Sequence, residues 1–377
     1  MSRRSKRRER RNAKRLEKKL KLKQYDDFEN VASLKSLYFA AKKASNGVKW
    51  KASVQRYLLS ILFKISRTRK DLLKGKDIRQ GFIEFDICER GKARHIKSVH
   101  FAERVVQKSI CSNALYPVLT SNVIYDNCAS QKGKGTHFAA KRLEKHLRWF
   151  HKRYGRDGYI LLIDFKGYFE SIPHDIVKNN YRKIFTDERL LKLADSFVDA
   201  FGDRGLGLGS ETSQINAVAH INHIDHYIKE QKRLHCYGRY MDDSYILHQS
   251  KEYLQELLKE LDVLYQVYGV TVNKKKTKII SLKDGFVYLK TKYRITETGK
   301  IVKEPCGASV TRQRRKMKRQ AGLVAKGLMT TAEVLIGLTS WVGSMIHRHS
   351  RKTVFNMKKL YRELFEKGAE NGRKKTE

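Results

Sequence analysis

The sequence predicts an α+β fold, and three observations predict it. Apolar residues recur at helical spacing toward both ends of the chain, and short alternating or apolar runs bounded by turn residues occupy the centre. The two patterns are grouped, with no regular strand–helix alternation and no internal repeat. With 377 residues, 40% of them hydrophobic and 10% aromatic, the chain can build two or three packed units, which excludes a disordered protein.

Residues 1–24 are mostly Lys and Arg with too few apolar positions to bury anything, so they read as a solvated arm that can turn helical on a polyanion. From Tyr25 to Lys74 the spacing of Leu34, Leu37, Tyr38 and Ala41, then of Tyr57, Leu58, Ile61, Leu62 and Ile65, predicts two helices. Between Gly81 and Val99 the period changes to two: FIEFDI and HIKSV alternate around the turn ERGKAR and predict a basic hairpin. Helical patterns follow at 101–119 and 136–153. YILLIDF at 159–165 is a short buried strand, succeeded by helices near 174–183 and 187–201, the glycine-rich turn GDRGLGLGSE, and a helix from Thr212 to Lys232. HCYGRY and SYILHQ then flank Met241, Asp242 and Asp243, which places the acidic pair in the tight turn of a second hairpin. An amphipathic helix over 252–268, short strands over 270–304 and a helical pattern from Ser309 to Glu366 complete the chain.

The formal net charge is +42, from 81 Lys and Arg against 39 Asp and Glu, and the cations recur along the whole length. Such an excess exceeds what solubility requires and points to a polyanionic partner, because Lys and Arg neutralise phosphates with sequence-independent, salt-sensitive affinity. A structural RNA-binding protein shares that composition. Cys88, Cys111, Cys128, Cys236 and Cys306 are odd in number and contain no C-x-x-C pair, so neither a disulfide framework nor a zinc site is indicated and a reducing, cytoplasmic setting is expected. No apolar run approaches the ~18 residues of a membrane span, and the N-terminus lacks the apolar stretch of a signal peptide.

Chemistry concentrates in three carboxylates. Asp164 ends an apolar strand, where a carboxylate at a sheet edge can take a hard cation, and Asp242 and Asp243 lie at a hairpin that pairing beside that strand would bring close. Three such acids would repel one another unless cations were present; two Mg²⁺ ions about 3.5 to 4 Å apart would activate a 3′-hydroxyl and neutralise a leaving pyrophosphate. The plainer reading of each acid is a cap or turn residue.

In order and spacing, DFKGYFESIPH, GLGLGSETSQ and YGRYMDDSYIL resemble the palm of the reverse transcriptases. The resemblance extends outward through GKARHIKSVHFAERVVQKSI, similar to a fingers segment, SQKGKGTHFA, similar to a template-contact segment, and NKKKTKI with GFVYLKTKY, similar to the motifs that close the palm; it covers roughly residues 80–368. It implies a right-hand polymerase, with 1–24 a basic arm, 25–158 N-terminal helices and fingers, 159–304 the palm with part of the fingers inserted, and 305–377 a short helical thumb and tail. The implied activity is RNA-directed DNA polymerisation by two-metal nucleotidyl transfer, with two Mg²⁺ ions (or Mn²⁺ in their place), an RNA template, a DNA or RNA primer and dNTPs. A structured non-coding RNA and an accessory protein join the expected partners; a membrane does not.

Site roles carry over by position. Asp164, Asp242, Asp243 and the backbone carbonyl of Phe165 are the expected metal ligands, and Lys276 is the lysine expected to protonate the leaving pyrophosphate, with Lys274, Lys275 and Lys278 as neighbours able to take its place. Lys92 and Arg94 match triphosphate-gripping residues, or are generic surface charge. Phe169 falls at the steric gate that excludes a ribose 2′-hydroxyl, or is a core aromatic. Leu208, Gly209, Ser213 and Gln214 line the incoming nucleotide, while Arg104, Gly133, Gly135, Tyr240, Met241, Phe286 and Leu289 match primer and template contacts.

Two departures inform the subgroup. Many reverse transcriptases carry Q-G-x-x-x-S-P where this chain has Leu208, Gly209, Ser210, Glu211, Thr212, Ser213 and Gln214. Losing the glutamine amide changes nucleotide discrimination by about 1 kcal/mol and predicts lower fidelity. That variant and TSWVGSMIHRHS resemble the error-prone enzymes of diversity-generating retroelements; phage-defence reverse transcriptases, some template-independent, carry related forms, and a non-catalytic RNA-binding protein on the same fold is the remaining reading. The usual F-L-G of the primer-side strand is here Tyr288, Leu289 and Lys290. After Glu366 too few residues remain for an RNase H, integrase or HNH unit, so those activities are expected from other proteins.

Overall fold

In the computed structural model of the chain, residues 3–89 and 92–366 are described. The basic arm is a helix, α1 (Arg3–Lys23), whose Lys18 ammonium reaches the Ser121 carbonyl at 2.6 Å. Four helices, not the expected two, occupy the stretch up to Lys74: α2 (Phe28–Ala32), α3 (Leu34–Ala44), α4 (Ala52–Leu59) and α5 (Ile61–Leu73). Ser33 is the reason for the first break: its backbone is extended (ψ 145°) and its hydroxyl accepts the Ser36 N–H, so it ends one helix and caps the next. Ser60, at φ −117° and ψ 35°, makes the second. The apolar period runs on through both serines, which is why spacing alone does not reveal the breaks.

The basic hairpin forms as expected from β1 (Phe82–Glu89) and β2 (Lys92–Val99), antiparallel with Phe82 opposite Val99. Behind it lie α6 (Phe101–Ile110), a π-helical turn at Cys111–Leu115, α7 (Tyr116–Leu119) and the long α8 (Thr136–Tyr154).

The site is built on a four-stranded antiparallel sheet. Its strands are β3 (Tyr159–Ile163), β4 (Tyr237–Tyr240), β5 (Asp243–His248) and β6 (Lys278–Ser281), in the order β4-β5-β3-β6. Ile160, Leu161 and Ile163 of β3 are buried, as expected for a central strand covered on both faces. Between β3 and β4 the chain forms α9 (Tyr168–Ser171), α10 (His174–Arg182), α11 (Glu188–Asp199), α12 (Glu211–His220) and α13 (Asn222–His226), so the single helix expected over 212–232 is interrupted at Ile221 and closes in a π-turn at Tyr227–Gln231. Helix α14 (Lys251–Val267) packs on the main core through Leu254, Leu257, Leu261 and Tyr265.

A second, three-stranded antiparallel sheet follows: β7 (Phe286–Tyr288), β8 (Thr291–Ile295) and β9 (Ile301–Pro305). It shares a core with α8, Ile160, Tyr245 and Leu247. The last helices, α15 (Gly307–Ala325), α16 (Thr331–Gly343) and α17 (Arg351–Phe365), close around their own core of Met317, Val334, Leu338, Met357, Tyr361 and Phe365. Strands and helices segregate, so the class is α+β. No helix among the described residues is long and apolar enough to cross a membrane.

Candidate active site

Strand pairing brings the three acids to one end of the sheet. Strands β3 and β5 pair with Ile163 opposite Ser244, so one step further along the same register Asp164 stands across from Asp243. Strands β4 and β5 pair Tyr240 with Asp243, leaving Met241 and Asp242 as a two-residue turn. Asp243 therefore opens a strand instead of sharing the turn with Asp242. Met241 takes φ +58°, the left-handed value that the first position of a tight two-residue hairpin demands.

Asp164 is fixed from the segment that leads into β6. Its carbonyl accepts the Asn273 N–H at 2.8 Å, and its carboxylate accepts from the Asn273 amide at 2.9 Å and from the Lys276 ammonium at 2.8 and 3.0 Å. Lys276, and not its lysine neighbours, is thus the cation on Asp164, and that hydrogen bond raises its pKa above the ordinary lysine value. Asp243 answers oppositely: burial, then the charges of Asp242 and Asp164, push its carboxyl up to about 7, with Lys276 offsetting part of the effect. Tyr288 adds a hydroxyl donated to the Asp243 carbonyl at 3.4 Å.

Three carboxylates at one sheet end, one of them raised first by burial and then by the charges of the other two, form a donor set suited to a hard divalent cation. Among the described residues no three His, Cys, Asp or Glu side chains stand as a ready-made metal cage, and Asp164's oxygens are engaged by Lys276 and Asn273. The Phe165 ring is in the core, stacked on Tyr168 with centroids 5.4 Å apart. Hydrogen bonds from Asn273 to Asp164 and from Lys166 to Thr271 flank the Phe165–Val272 bridge, which directs the Phe165 carbonyl away from the Val272 segment.

Phe169 follows on α9, half-buried, its ring edge-on to Tyr168 at 6.0 Å. Its carbonyl accepts the Leu206 N–H at 2.7 Å, an approach that needs glycine beside it: a Cβ on Gly205 would lie 3.0 Å from the Glu170 carbonyl oxygen. The same backbone ladder thus sets Phe169 beside the turn that carries Leu208 and Gly209, the latter at φ +95°. Leu208 is half-buried and Gly209 exposed. Ser210 caps α12 and donates to Gln107 of α6 at 3.1 Å, so the turn is braced against the preceding helix. Ser213 is buried with no hydrogen-bond partner for its hydroxyl, while Gln214 is exposed in a cleft of 390 Å³ with Lys43, Lys108, Gln131 and Lys132.

The remaining residues are dispersed. Lys92 and Arg94 belong to β2 by backbone, and their side chains lie outside the described residues. Arg104 donates to the Ser98 hydroxyl at 3.2 Å. Gly133 (φ +72°) and Gly135 bracket the loop before α8, which Lys134 anchors through the Tyr125 and Asn127 carbonyls, each at 2.9 Å. Tyr240 and Met241 are half-buried against the main core. Phe286 is buried and stacked on Tyr293 at 5.5 Å, so its ring packs the second core while Leu289 occupies the adjacent turn.

Sequence reasoning missed the supports: Asn273, Thr277 beneath Asp164, Tyr288, and a buried Arg239–Asp225 pair under the acidic turn. The available signal was an arginine inside an otherwise buried strand, at Arg239 in YGRY.

The family described as Reverse transcriptase (RNA-dependent DNA polymerase) matches residues 76–302. No curated protein matches the chain significantly. Among solved structures, an apo telomerase from Candida tropicalis, truncated from its C-terminal domain, is similar with a TM-score of 0.45 and 16% identity, over 59% of this chain and 55% of that one. Telomerase from Candida albicans, in complex with the TWJ fragment of telomeric RNA, is similar with a TM-score of 0.49 and 12% identity, over 82% of this chain and 65% of that one. The chain thus spans less than two thirds of either telomerase.

Proposed function

The chain belongs to the reverse transcriptase (RNA-dependent DNA polymerase) family, and from that premise we propose that it extends a primer 3′-hydroxyl with dNTPs on an RNA template. The observation that carries the reading is the convergence of Asp164, Asp242 and Asp243 at one sheet end, with Asp243 pushed up to about 7 by burial and by the other two acids. Family polymerases use divalent ions, and Mg²⁺ is the ion proposed here, held by Asp164, Asp242, Asp243 and the Phe165 carbonyl. When bound, the ions supply an acidified 3′-hydroxyl and neutralise the phosphates.

The chain's own groups do the rest. Lys276 stands in for cationic charge on Asp164; freed from that carboxylate, its ammonium can donate a proton to the leaving pyrophosphate. Phe169 bars a ribose 2′-hydroxyl, and Leu208 offers the incoming nucleotide an apolar contact where an amide would bond it. Lys92 and Arg94 grip the triphosphate; Gly209, Ser213 and Gln214 shape its pocket. Arg104, Gly133, Gly135, Tyr240, Met241, Phe286 and Leu289 lie along the template and primer. In this reading residues 1–24 are an RNA-binding arm, 25–158 N-terminal helices and fingers, 159–304 the palm and 305–377 the thumb and tail.

The finer assignment is an error-prone cytoplasmic enzyme of a diversity-generating retroelement, working with a structured RNA and an accessory protein. Its support is the form Leu208, Gly209, Ser213, Gln214. The test is incubation with poly(rA), oligo(dT), dTTP and Mg²⁺: incorporation is expected, and a purified, folded protein that incorporates nothing with Mg²⁺ or Mn²⁺ would leave the RNA-binding reading in its place.

A further inference from the structure

The guanidinium of Arg239 lies wholly inside the protein beneath the acidic turn. The side chains of Arg239 and Asp225 are 0% and 1% exposed, and Arg239 donates from Nε and a terminal nitrogen to both Asp225 oxygens at 2.7 to 3.0 Å. Tyr237 donates its hydroxyl to the same carboxylate at 2.5 Å. The carboxylate is fully engaged, and two guanidinium hydrogens are spent elsewhere. One goes to the Val218 carbonyl near the end of α12, at 2.8 Å; the other goes to the Met241 carbonyl, at 3.1 Å.

Met241 is the left-handed residue of the turn, and its carbonyl belongs to the peptide that leads directly into Asp242. Fixing that carbonyl fixes the peptide plane, and with it the direction from which the Asp242 side chain departs. Helix α12 begins at the Leu208–Gly209 turn, so the same guanidinium joins the element beside the proposed nucleotide pocket to the acidic hairpin. Arg239 is also fixed through its backbone: its N–H donates to the Asp126 carbonyl at 3.0 Å and its carbonyl accepts the Cys128 N–H at 2.8 Å. An ion pair this deep carries a large desolvation cost, and apolar residues of similar size commonly fill such space with no loss of stability. Folding alone therefore gives weak reason for a charge here.

We propose that Arg239, held by Asp225, is a positioning residue that sets the Met241 peptide and thereby aims Asp242 for cation binding. The proposal rests on the polymerase reading of the site. Two variants test it: Arg239→Lys, which keeps the charge and loses the fork, and Arg239→Met with Asp225→Asn, which removes both charges together. Each is followed by thermal melting, by kcat and KM for dTTP on poly(rA)/oligo(dT), and by Mn²⁺ binding measured by electron paramagnetic resonance without nucleotide.

Both variants are expected to fold, to lose about tenfold or more in kcat with KM within about twofold of wild type, and to bind Mn²⁺ more weakly. A folded variant with wild-type kcat and Mn²⁺ affinity overturns the proposal, as does a change confined to KM. Failure of both variants to fold assigns the pair to folding alone and overturns it equally. A wild-type protein with no polymerase activity sinks the polymerase reading only, because the Mn²⁺ comparison still reports whether Arg239 shapes the acidic turn.

Discussion

Two hairpin turns, β4–β5 and β7–β8, solve one backbone problem in different ways. The β4–β5 turn uses Met241 at φ +58°, and the β7–β8 turn uses Leu289 and Lys290 at φ +44° and +61°. Neither has the glycine or asparagine that such turns favour, and each left-handed L-residue costs roughly 1 to 2 kcal/mol. At Met241 the conformation is held from beneath by a buried guanidinium on the turn's own carbonyl. At Leu289 and Lys290 the nearby restraint comes from outside: Arg348, between α16 and α17, donates to the Thr291 hydroxyl at 2.9 Å. Tyr288, at the foot of the second turn, reaches the Asp243 carbonyl beside the first. Strain braced by a buried charge is expected to be rigid, and strain braced by a half-exposed contact adjustable, so the first turn suits fixed ligands and the second a substrate that moves.

The sharpest way to break that contrast is at the acids. Asp242→Asn and Asp164→Asn each remove one charge without opening a cavity, so dNTP incorporation should fall by about a hundredfold or more, or ~2.7 kcal/mol, with the melting temperature nearly unchanged. Retention of near-wild-type incorporation in either folded variant would show that the rigid turn holds no ligand.

A third turn, at Leu208 and Gly209, carries no left-handed strain of this kind because glycine supplies its φ of +95°. Two substitutions there act on separate discriminations. Phe169→Ala should lower the kcat/KM preference for dNTP over rNTP by about tenfold or more, since the ring no longer meets a 2′-hydroxyl. Leu208→Gln should reduce misincorporation opposite template adenine by up to about tenfold, the value of one hydrogen bond of ~1.4 kcal/mol gained only in the correct transition state. An error frequency that stays level or rises would remove the low-fidelity argument for a diversity-generating enzyme.

Much of this architecture was legible because it is local. A five-residue apolar strand leading into Asp164, and alternating runs flanking Met241 and Asp242, need only neighbouring residues to be recognised. The breaks at Ser33 and Ser60 were not legible, since an apolar face that continues past a serine keeps its period while the serine's backbone leaves the helix. Nor were the supports. Asn273 reaches Asp164, and Asp225 reaches Arg239, only after β3, β5 and α13 have packed, and nothing in the spacing of an asparagine or a helical aspartate announces that partner. Phe286 shows the converse: its strand was correctly placed, but only packing reveals that its ring faces Tyr293 in the core.

The smallest effect concerns the adjustable turn itself. Lys290 is exposed and left-handed, so Lys290→Gly removes a penalty of roughly 1 to 2 kcal/mol in the folded state. Glycine also loses more backbone entropy on folding, which returns about 0.5 to 1 kcal/mol, so the net stabilisation should be on the order of 0.5 to 1 kcal/mol. Spread over a chain of this size, that is a rise of only about 0.5 to 1.5 °C in Tm. The corresponding change at the braced turn, Met241→Gly, should give less, because the glycine loses the side chain's packing on the main core, while the Arg239 hydrogen bond to the backbone carbonyl is the same in both. Measured side by side in differential scanning calorimetry, Lys290→Gly should raise Tm and Met241→Gly should leave it level or lower it. Equal increases from the two substitutions would show that the Met241 side chain adds nothing to the packing of the first turn, and the contrast between a rigid and an adjustable hairpin would have to be abandoned.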